Sequence, residues 1–256
     1  MMSNVAASRR PVIGFAIFTL AMVAVFIGLG IWQLQRRGAK HALIAQLNER
    51  LAAAPVPLPG RAQWGALTPG KDEFRRVSFD ATYAPLPDAM VYSSGSAVRN
   101  DVSGPGTWAF LPVQTPDGGN VVVNVGFVQN TMQDRGQQDR AVGRLITGDP
   151  LQMTGYIRFP EAAGTLTPAG NAAKRLWFTR DHLAMARALG WDGDGKVVAP
   201  FYIDLEAPVP DSGIPKPGPL SVHLKDDHMQ YAITWFTLAF AVVIAFGVWW
   251  RGRRRA

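Results

Sequence analysis

Two long apolar runs, one near each end of the chain, dominate the hydropathy pattern. No charged residue occurs from Pro11 to Gln35 or from Tyr231 to Trp250. An α-helix rises about 1.5 Å per residue, so about 20 such residues cross a hydrocarbon layer of about 30 Å. The pattern therefore predicts two transmembrane helices.

The first run could instead be a cleaved signal peptide, because Arg9 and Arg10 precede it. A signal peptide has an apolar region of about 7–15 residues, followed by small residues at the cleavage site. This run is longer and ends in the bulky, basic segment 32–37. The sequence therefore favours an uncleaved membrane anchor.

The segment between the runs is predicted to be rich in β-strands. Leu43, Leu47 and Leu51 first continue a helical stripe until three prolines, the first of them Pro55, end it. Alternating or β-branched runs then predict strands at Arg75–Tyr83, Met90–Tyr92, Trp108–Val113, Val121–Val128, Leu151–Arg158 and Phe201–Asp204. One helix is predicted to begin after Thr179 or Asp181 and to end at Gly190.

We therefore expect a membrane α+β protein in which two transmembrane helices flank a mostly antiparallel β domain with one or two helices, which could close into a barrel. A Pro- and Gly-rich tether precedes the second helix. The predicted segments are an N-terminus at 1–10, a transmembrane helix at 11–35, a juxtamembrane amphipathic helix at 36–54, the extracytoplasmic β-rich domain at 55–207, the tether at 208–227, a transmembrane helix at 228–250 and a basic tail at 251–256.

The net charge of +7 belongs to the membrane flanks. Of 26 Lys and Arg residues, nine flank the two runs, which leaves 17 basic residues against 19 acidic ones in the middle. This distribution argues against a nucleic-acid-binding domain, which needs a basic folded face. The nine flanking residues are Arg9, Arg10, Arg36, Arg37, Lys40, Arg251, Arg253, Arg254 and Arg255.

The same charges predict an orientation. Lys and Arg concentrate in cytoplasmic segments, and the tail after Trp250 holds the densest basic cluster. Two spans then place both termini on the cytoplasmic side and the β domain outside, in a bacterial periplasm or its mitochondrial equivalent. We expect the inner (cell) membrane of a bacterium. Arg36, Arg37 and Lys40 oppose this orientation, although long translocated loops follow the charge rule poorly.

The chain offers little for catalysis. It contains no cysteine, which excludes disulfides and thiolate metal sites. No phosphate-binding glycine loop and no HExxH motif occur. We therefore expect a protein that is not an enzyme. The alternative of an extracytoplasmic enzyme or receptor rests only on the size of the domain.

One of the four histidines lies where a cofactor could bind. His228, Tyr231 and Trp235 share a helical face at the start of the second run, and Trp32 leaves the first run at the same membrane surface. An imidazole among aromatic rings could ligate haem iron, with Arg36 and Arg37 near the haem propionates. The alternative is that the aromatics form an interfacial belt and the arginines reach lipid phosphates. We expect His41 and His182 to be ordinary surface residues and His223 to lie in an extended segment.

A series of segments resembles the Surfeit-locus family of cytochrome oxidase assembly proteins, which includes the yeast Shy-type proteins. The segments cover nearly the whole chain in the family's order. They are Gly30–Arg37 with Lys40, Asn124–Val128, Gly155–Arg158, Pro168 with Asn171, Trp177–Phe178 through Asp181 to Met185–Ala186, Pro200–Asp204 and His228–Phe236.

The resemblance implies an assembly factor for haem-copper terminal oxidase (cytochrome c oxidase) that assists delivery of haem a to the catalytic subunit. It assigns the haem contact to His228, the histidine of the closing motif. The partners implied are the oxidase catalytic subunit, the haem a synthesis machinery and membrane lipid. Val125 stands where the family has arginine and Gln129 where it has proline, while Asp227 and Met229 are smaller departures.

Two functions compete at this point. A haem-handling assembly factor predicts that the purified protein carries haem and loses it when His228 is replaced. A cofactor-free membrane adaptor instead docks the oxidase subunit through its spans and β domain. The adaptor predicts tolerance of His228→Ala and sensitivity at Trp32 and in the Val121–Val128 strand.

Overall fold

The computed structural model describes residues 10–96, 98–129, 135–221 and 226–255. These residues divide into two compact units, with boundaries after Ala45 and after His223. The first unit is helical and the second is a β domain. His223, most of the predicted N-terminal segment 1–10 and residues 222–225 of the predicted tether lie outside the described residues.

The helical unit contains the two helices expected from the apolar runs. Helix α1 is continuous over Arg10–Ala52, and helix α5 covers His228–Arg255. Both are long and apolar enough to cross a membrane, and nearly all residues of their most apolar stretches lie outside the protein core. The prediction of two membrane helices that flank a β-rich domain is confirmed.

Small residues and aromatic rings form the contact between α1 and α5. Ala232 and Ala239 are buried on α5, and the ring of Phe236 lies against Gly30 of α1. Nearer the other end of the helices, the rings of Phe15 and Trp249 meet edge to face, 4.6 Å apart. Because lipid supplies no hydrophobic drive between helices, such close backbone approach and ring packing hold the pair together.

In the part of the chain that the structure describes, the β domain is built on eight strands and three short α-helices. Its strands are β1 Val56–Pro57, β2 Arg76–Tyr83, β3 Ala89–Ser93, β4 Gly106–Gln114, β5 Asn120–Gln129, β6 Leu151–Arg158, β7 Leu176–Trp177 and β8 Val198–Ala207. The helices are α2 Pro69–Asp72, α3 Arg135–Gly143 and α4 His182–Leu189, with 3₁₀ turns at Arg61–Ala66 and Gly193–Gly195. All six strands predicted from the sequence are confirmed.

The strands form one mixed sheet, in the order β1-β2-β6-β8-β5-β4-β3-β7. Five of the eight pairings within the described chain are antiparallel, whereas β1–β2, β3–β7 and β5–β8 are parallel. Thr82 and Tyr83 of β2 also pair with Gln114 and Val113 of β4. This pairing joins β2, β6, β8, β5 and β4 in a closed circuit, the connectivity on which a barrel depends.

Strand β5 passes through the centre of the core. Val121, Val123 and Val125 are fully buried, so Val125 is an apolar core residue. The next residue, Gly126, has φ +128°, and a Cβ there would lie 2.3 Å from the backbone of Lys216. Lys216 belongs to the predicted tether and exchanges two backbone hydrogen bonds with Phe127, so this part of the tether is attached to the sheet.

Helix α4 confirms the predicted capping pattern but corrects one histidine. Asp181 accepts a hydrogen bond from the Ala184 amide, and Gly190 ends the helix in the left-handed conformation. The expectation that His182 is a surface residue is wrong, because its side chain is fully buried. Its Nε2 donates to the carbonyl oxygen of Ala199 at 2.9 Å, and burial lowers the pKa of the imidazole to about 4. Packing against β8 removes this residue from solvent.

Candidate functional site

His228 is the first residue of α5 and is held from two sides. Its backbone N–H donates to Oδ1 of Asp226 at 3.1 Å, which satisfies one of the free amides at the helix start. Its ring Nδ1 lies 2.9 Å from Oε1 of Gln33 on α1. The half-buried imidazole is therefore fixed at the junction of the two helices.

Asp226 joins the start of α5 to α1. Its Oδ2 accepts from Nε of Arg37 at 3.1 Å and lies 2.6 Å from Nε2 of His41. The hydrogen bond with His41, assisted by the His228 amide and Arg37, lowers the pKa of Asp226 to about 2. Arg37 also directs Nη1 to the sulfur of Met229 at 3.7 Å. We call Gln33, Arg37, His41, Asp226, His228 and Met229 the junction cluster.

Sequence reasoning missed Gln33, His41 and Asp226 as members of this cluster. The signal was present, because Gln33, Arg37 and His41 recur every four residues and therefore share one face of α1. Their polarity suggested lipid headgroups or water as partners. The structure instead turns this face towards the start of α5.

The six residues predicted for the site fall into two groups. His228, Trp235 and Arg37 contact the opposite helix, and the ring of Trp235 stacks on Phe26 with centroids 5.7 Å apart. Trp32, Arg36 and Tyr231 lie outside this contact. Trp32 is 49% exposed with the Arg36 guanidinium 5.6 Å from its ring, and Tyr231 is 54% exposed.

The predicted aromatic group is thus divided between two environments. Trp235 lies seven residues beyond His228, about 10 Å deeper along the helix, and packs within the helix pair. Trp32 and Tyr231 present half-exposed rings close to the ends of their spans. The groups near this end of the unit that could bind a ligand are the His228 imidazole, the Arg36 guanidinium and the exposed rings of Trp32 and Tyr231.

The β domain offers a cavity of a different character. A cavity of about 540 Å³ lies between α3 and the first residues of the predicted tether. Its floor is formed by Tyr83, Val125 and Leu205, while Arg144 and Asp211 lie exposed at its rim. Within the described ranges, no group of three or more His, Asp or Glu side chains is arranged to hold a metal ion.

Comparison with known proteins identifies the family of this chain. The family model described as SURF1 family matches residues 20–240, which includes the whole β domain and part of each span. The chain belongs to the SURF1 family. The match covers every member of the junction cluster, from Gln33 to Met229.

The sequence of the chain aligns with those of individual SURF1-family relatives over most of their length. Surfeit locus protein 1 of rat is 32% identical over 237 residues, which cover 88% of this chain and 72% of the rat protein. The human protein of the same name is 30% identical over 84% of this chain and 70% of its own length. A SURF1-like protein of Monosiga brevicollis is 28% identical over 97% of this chain and 92% of its own length.

Proposed function

We propose that this SURF1-family chain is an assembly factor for haem-copper terminal oxidase that receives haem a and assists its delivery to the oxidase catalytic subunit. The observation that carries the proposal is the placement of His228. Its ring is fixed between the two membrane helices, and the half-exposed residues Trp32 and Tyr231 belong to the adjoining turns of the same helices. Family membership supports the same role, as the resemblance of the motifs implies.

The side chains present fit a haem group. Iron binds an unprotonated ring nitrogen of histidine. His228 is the first residue of α5, and its Nδ1 is already engaged. Haem a, when bound, supplies the iron that the oxidase requires. Nε2 of His228 is the ligand atom that this chain provides.

Arg36 and Arg37 differ in whether their charge is already paired within the protein. Arg37 is engaged by Asp226, and its charge is therefore compensated. The guanidinium of Arg36 lies over the exposed ring of Trp32 and is the arginine suited to receive a haem propionate. Trp32 and Tyr231 would then cover apolar macrocycle surface. We place this site at the outer surface of a bacterial inner membrane, with both termini in the cytoplasm.

Visible absorption of the detergent-purified full chain, co-expressed with haem a synthesis, tests the proposal. We expect a haem a band in the wild type and loss of most of that band in His228→Ala. Gln35→Leu is the control, because Gln35 is an exposed residue of α1 that lies outside the junction cluster. A colourless wild type contradicts the proposal, and an equal band in His228→Ala moves the ligand to another residue.

The half-exposed rings of Trp32 and Tyr231 also favour a second candidate, a cofactor-free adaptor that docks the oxidase subunit. This candidate predicts that His228→Ala still supports oxidase assembly whereas Trp32→Ala does not. Oxidase haem content in a strain that carries each variant separates the two functions. Failure of both variants supports the haem-handling role, since both residues then belong to one site.

A further inference from the structure

We propose that Gln33 is the positioning residue for His228: it holds the ring in the Nδ1–H tautomer and so keeps Nε2 free for iron. The proposal rests on the proposed haem-handling function and adds to it how the ligand atom is chosen. A residue of the first span, Gln33, would thus control the iron ligand of the second span, His228.

The chemistry of the contact determines the tautomer. Oε1 of Gln33 is an amide oxygen and can only accept a hydrogen bond, so Nδ1 of His228, 2.9 Å away, must donate. A neutral imidazole carries one N–H, and with the proton on Nδ1 the lone pair lies on Nε2. Histidines that bind metals usually donate their other N–H in this way, which fixes the ring and raises the basicity of the ligand nitrogen.

The surroundings hold both partners in place. On α5, the backbone amide of His228 is bound by Asp226, which restricts the first turn. On α1, Gly30 lies one turn from Gln33 and packs directly against the ring of Phe236. The hydrogen bond between Gln33 and His228 thus lies beside a cap on α5 and one turn from a direct packing contact between the two helices.

The charged groups of the cluster are directed elsewhere. Asp226 uses Oδ2 for Arg37 and His41 and uses Oδ1 for the His228 backbone. Arg37 extends to the sulfur of Met229. Among the contacts that the structure describes, the one made by the His228 ring goes to Gln33. A neutral amide rather than a carboxylate is therefore the described partner of the imidazole.

Three variants separate positioning from simple packing. Gln33→Leu keeps the side-chain volume and removes the acceptor. Gln33→Glu keeps an acceptor oxygen at the same reach, and as a carboxylate it accepts more strongly. Gln35→Leu is the control, because Gln35 is a second glutamine of α1 but is exposed.

The first measurement needs no haem. Nitrogen-15 spectra of the histidine side chains in the haem-free full chain report which ring nitrogen carries the proton, and the His228 signals are assigned by their loss in His228→Ala. We expect the Nδ1–H tautomer in the wild type, in Gln33→Glu and in Gln35→Leu. We expect a mixture with Nε2–H in Gln33→Leu. A wild-type ring in the Nε2–H form, or an unchanged ring in Gln33→Leu, overturns the proposal.

The second measurement follows haem. We expect Gln33→Leu to bind haem about tenfold more weakly than the wild type, as loss of an outer hydrogen bond commonly does. We expect Gln33→Glu to retain binding with a lower midpoint potential, because a more basic ligand stabilises the oxidised iron. Equal affinity and potential in all variants overturn the proposal while the haem function stands. A wild type that binds no haem overturns the proposed function, and with it the haem role of Gln33.

Discussion

The ring of Phe236 lies directly against the backbone of Gly30. A Cβ added at position 30 would lie 2.5 Å from that ring, closer than real Cβ atoms approach a neighbour. Gly28, two residues earlier on the same helix, has no atom within 4 Å of the corresponding point. The close approach of the two spans thus depends on one of two neighbouring glycines.

Gly30→Leu should separate the spans, and Gly28→Leu should not. Because the chain has no cysteine, spin labels can be attached at introduced cysteines without further changes. Leu20 and Val243 are exposed positions suited to this. We expect a longer and broader distance distribution between the labels in Gly30→Leu. An unchanged distribution would show that Phe236 rotates away and that Gly30 is not required for packing.

Replacement of Asp226 should distinguish its two contacts. Asp226→Asn keeps an oxygen that can accept from the His228 amide but removes the charge that Arg37 and His41 face. Asp226→Ala removes both. We expect hydrogen exchange of the amides in the first turn of α5 to be several-fold faster in Asp226→Ala and nearly unchanged in Asp226→Asn. Equal acceleration in both variants would show that the charge, rather than the cap, holds this turn.

The stability of the β domain should fall between neutral and mildly acidic pH because of His182. Burial lowers the pKa of this histidine from 6.5 to about 4. The unfolded chain therefore takes up a proton as the pH falls through 6.5, whereas the folded domain resists protonation until about pH 4. At 1.36 kcal/mol per pKa unit, the loss of stability from pH 7 to pH 4 amounts to about 3 kcal/mol.

Denaturant unfolding of the full chain at several pH values, followed by fluorescence of the buried tryptophans, measures this loss. His182→Gln cannot take up the proton and should show a shallower dependence on pH. His41→Gln serves as the control, since His41 is exposed and lies in the helical unit. A slope that is the same in all three proteins would assign the acid sensitivity to other groups.

A buried polar network in the sheet should make paired changes cost less than the sum of the single ones. Oδ2 of Asp204 accepts from Arg158 at 2.7 Å, and Oδ1 accepts from Asn124 at 2.7 Å. All three residues are buried. Asp204→Ala leaves a guanidinium and an amide without this acceptor, and loss of one partner from a buried ion pair typically costs roughly 3–5 kcal/mol.

The free energy of unfolding of Asp204→Ala measures that cost. The double variant Asp204→Leu with Arg158→Met should lose less than the sum of the two single variants, because each single change leaves one member of the same buried ion pair without its partner. Asp211→Ala is the control, as Asp211 is exposed. Additive losses in the double variant would contradict a coupled network.

Sequence patterns predicted the elements that are marked by a long apolar or β-branched run or by a clear period. The two spans and the strands around Val121 and Phe201 are long apolar or β-branched runs, and their position in the chain follows from composition. The two-residue strands β1 and β7 are too short to show a period. Helix α3 begins with Arg135 and Gly136 and has a mostly polar composition, so no apolar stripe marks it.

The candidate site was predictable to a similar extent. Position along the chain and the resemblance of motifs identified His228 and its aromatic neighbours. The partners Gln33, His41 and Asp226 depend on which faces of two helices meet, and a single sequence gives no pairing between distant segments. The burial of His182 arises in the same way, from packing of α4 on β8 rather than from any local pattern.

The closed circuit of five strands also determines when the β domain can fold during synthesis. Arg76 pairs with Tyr156, and Asn120 pairs with Val198, so one edge of β2 and one edge of β5 wait for partners made much later. Ribosomes add about 5–20 residues per second, whereas a local hairpin forms in about 1–10 μs. The rate of translation up to Ala207 therefore sets how long these two strand edges of the nascent chain remain unpaired.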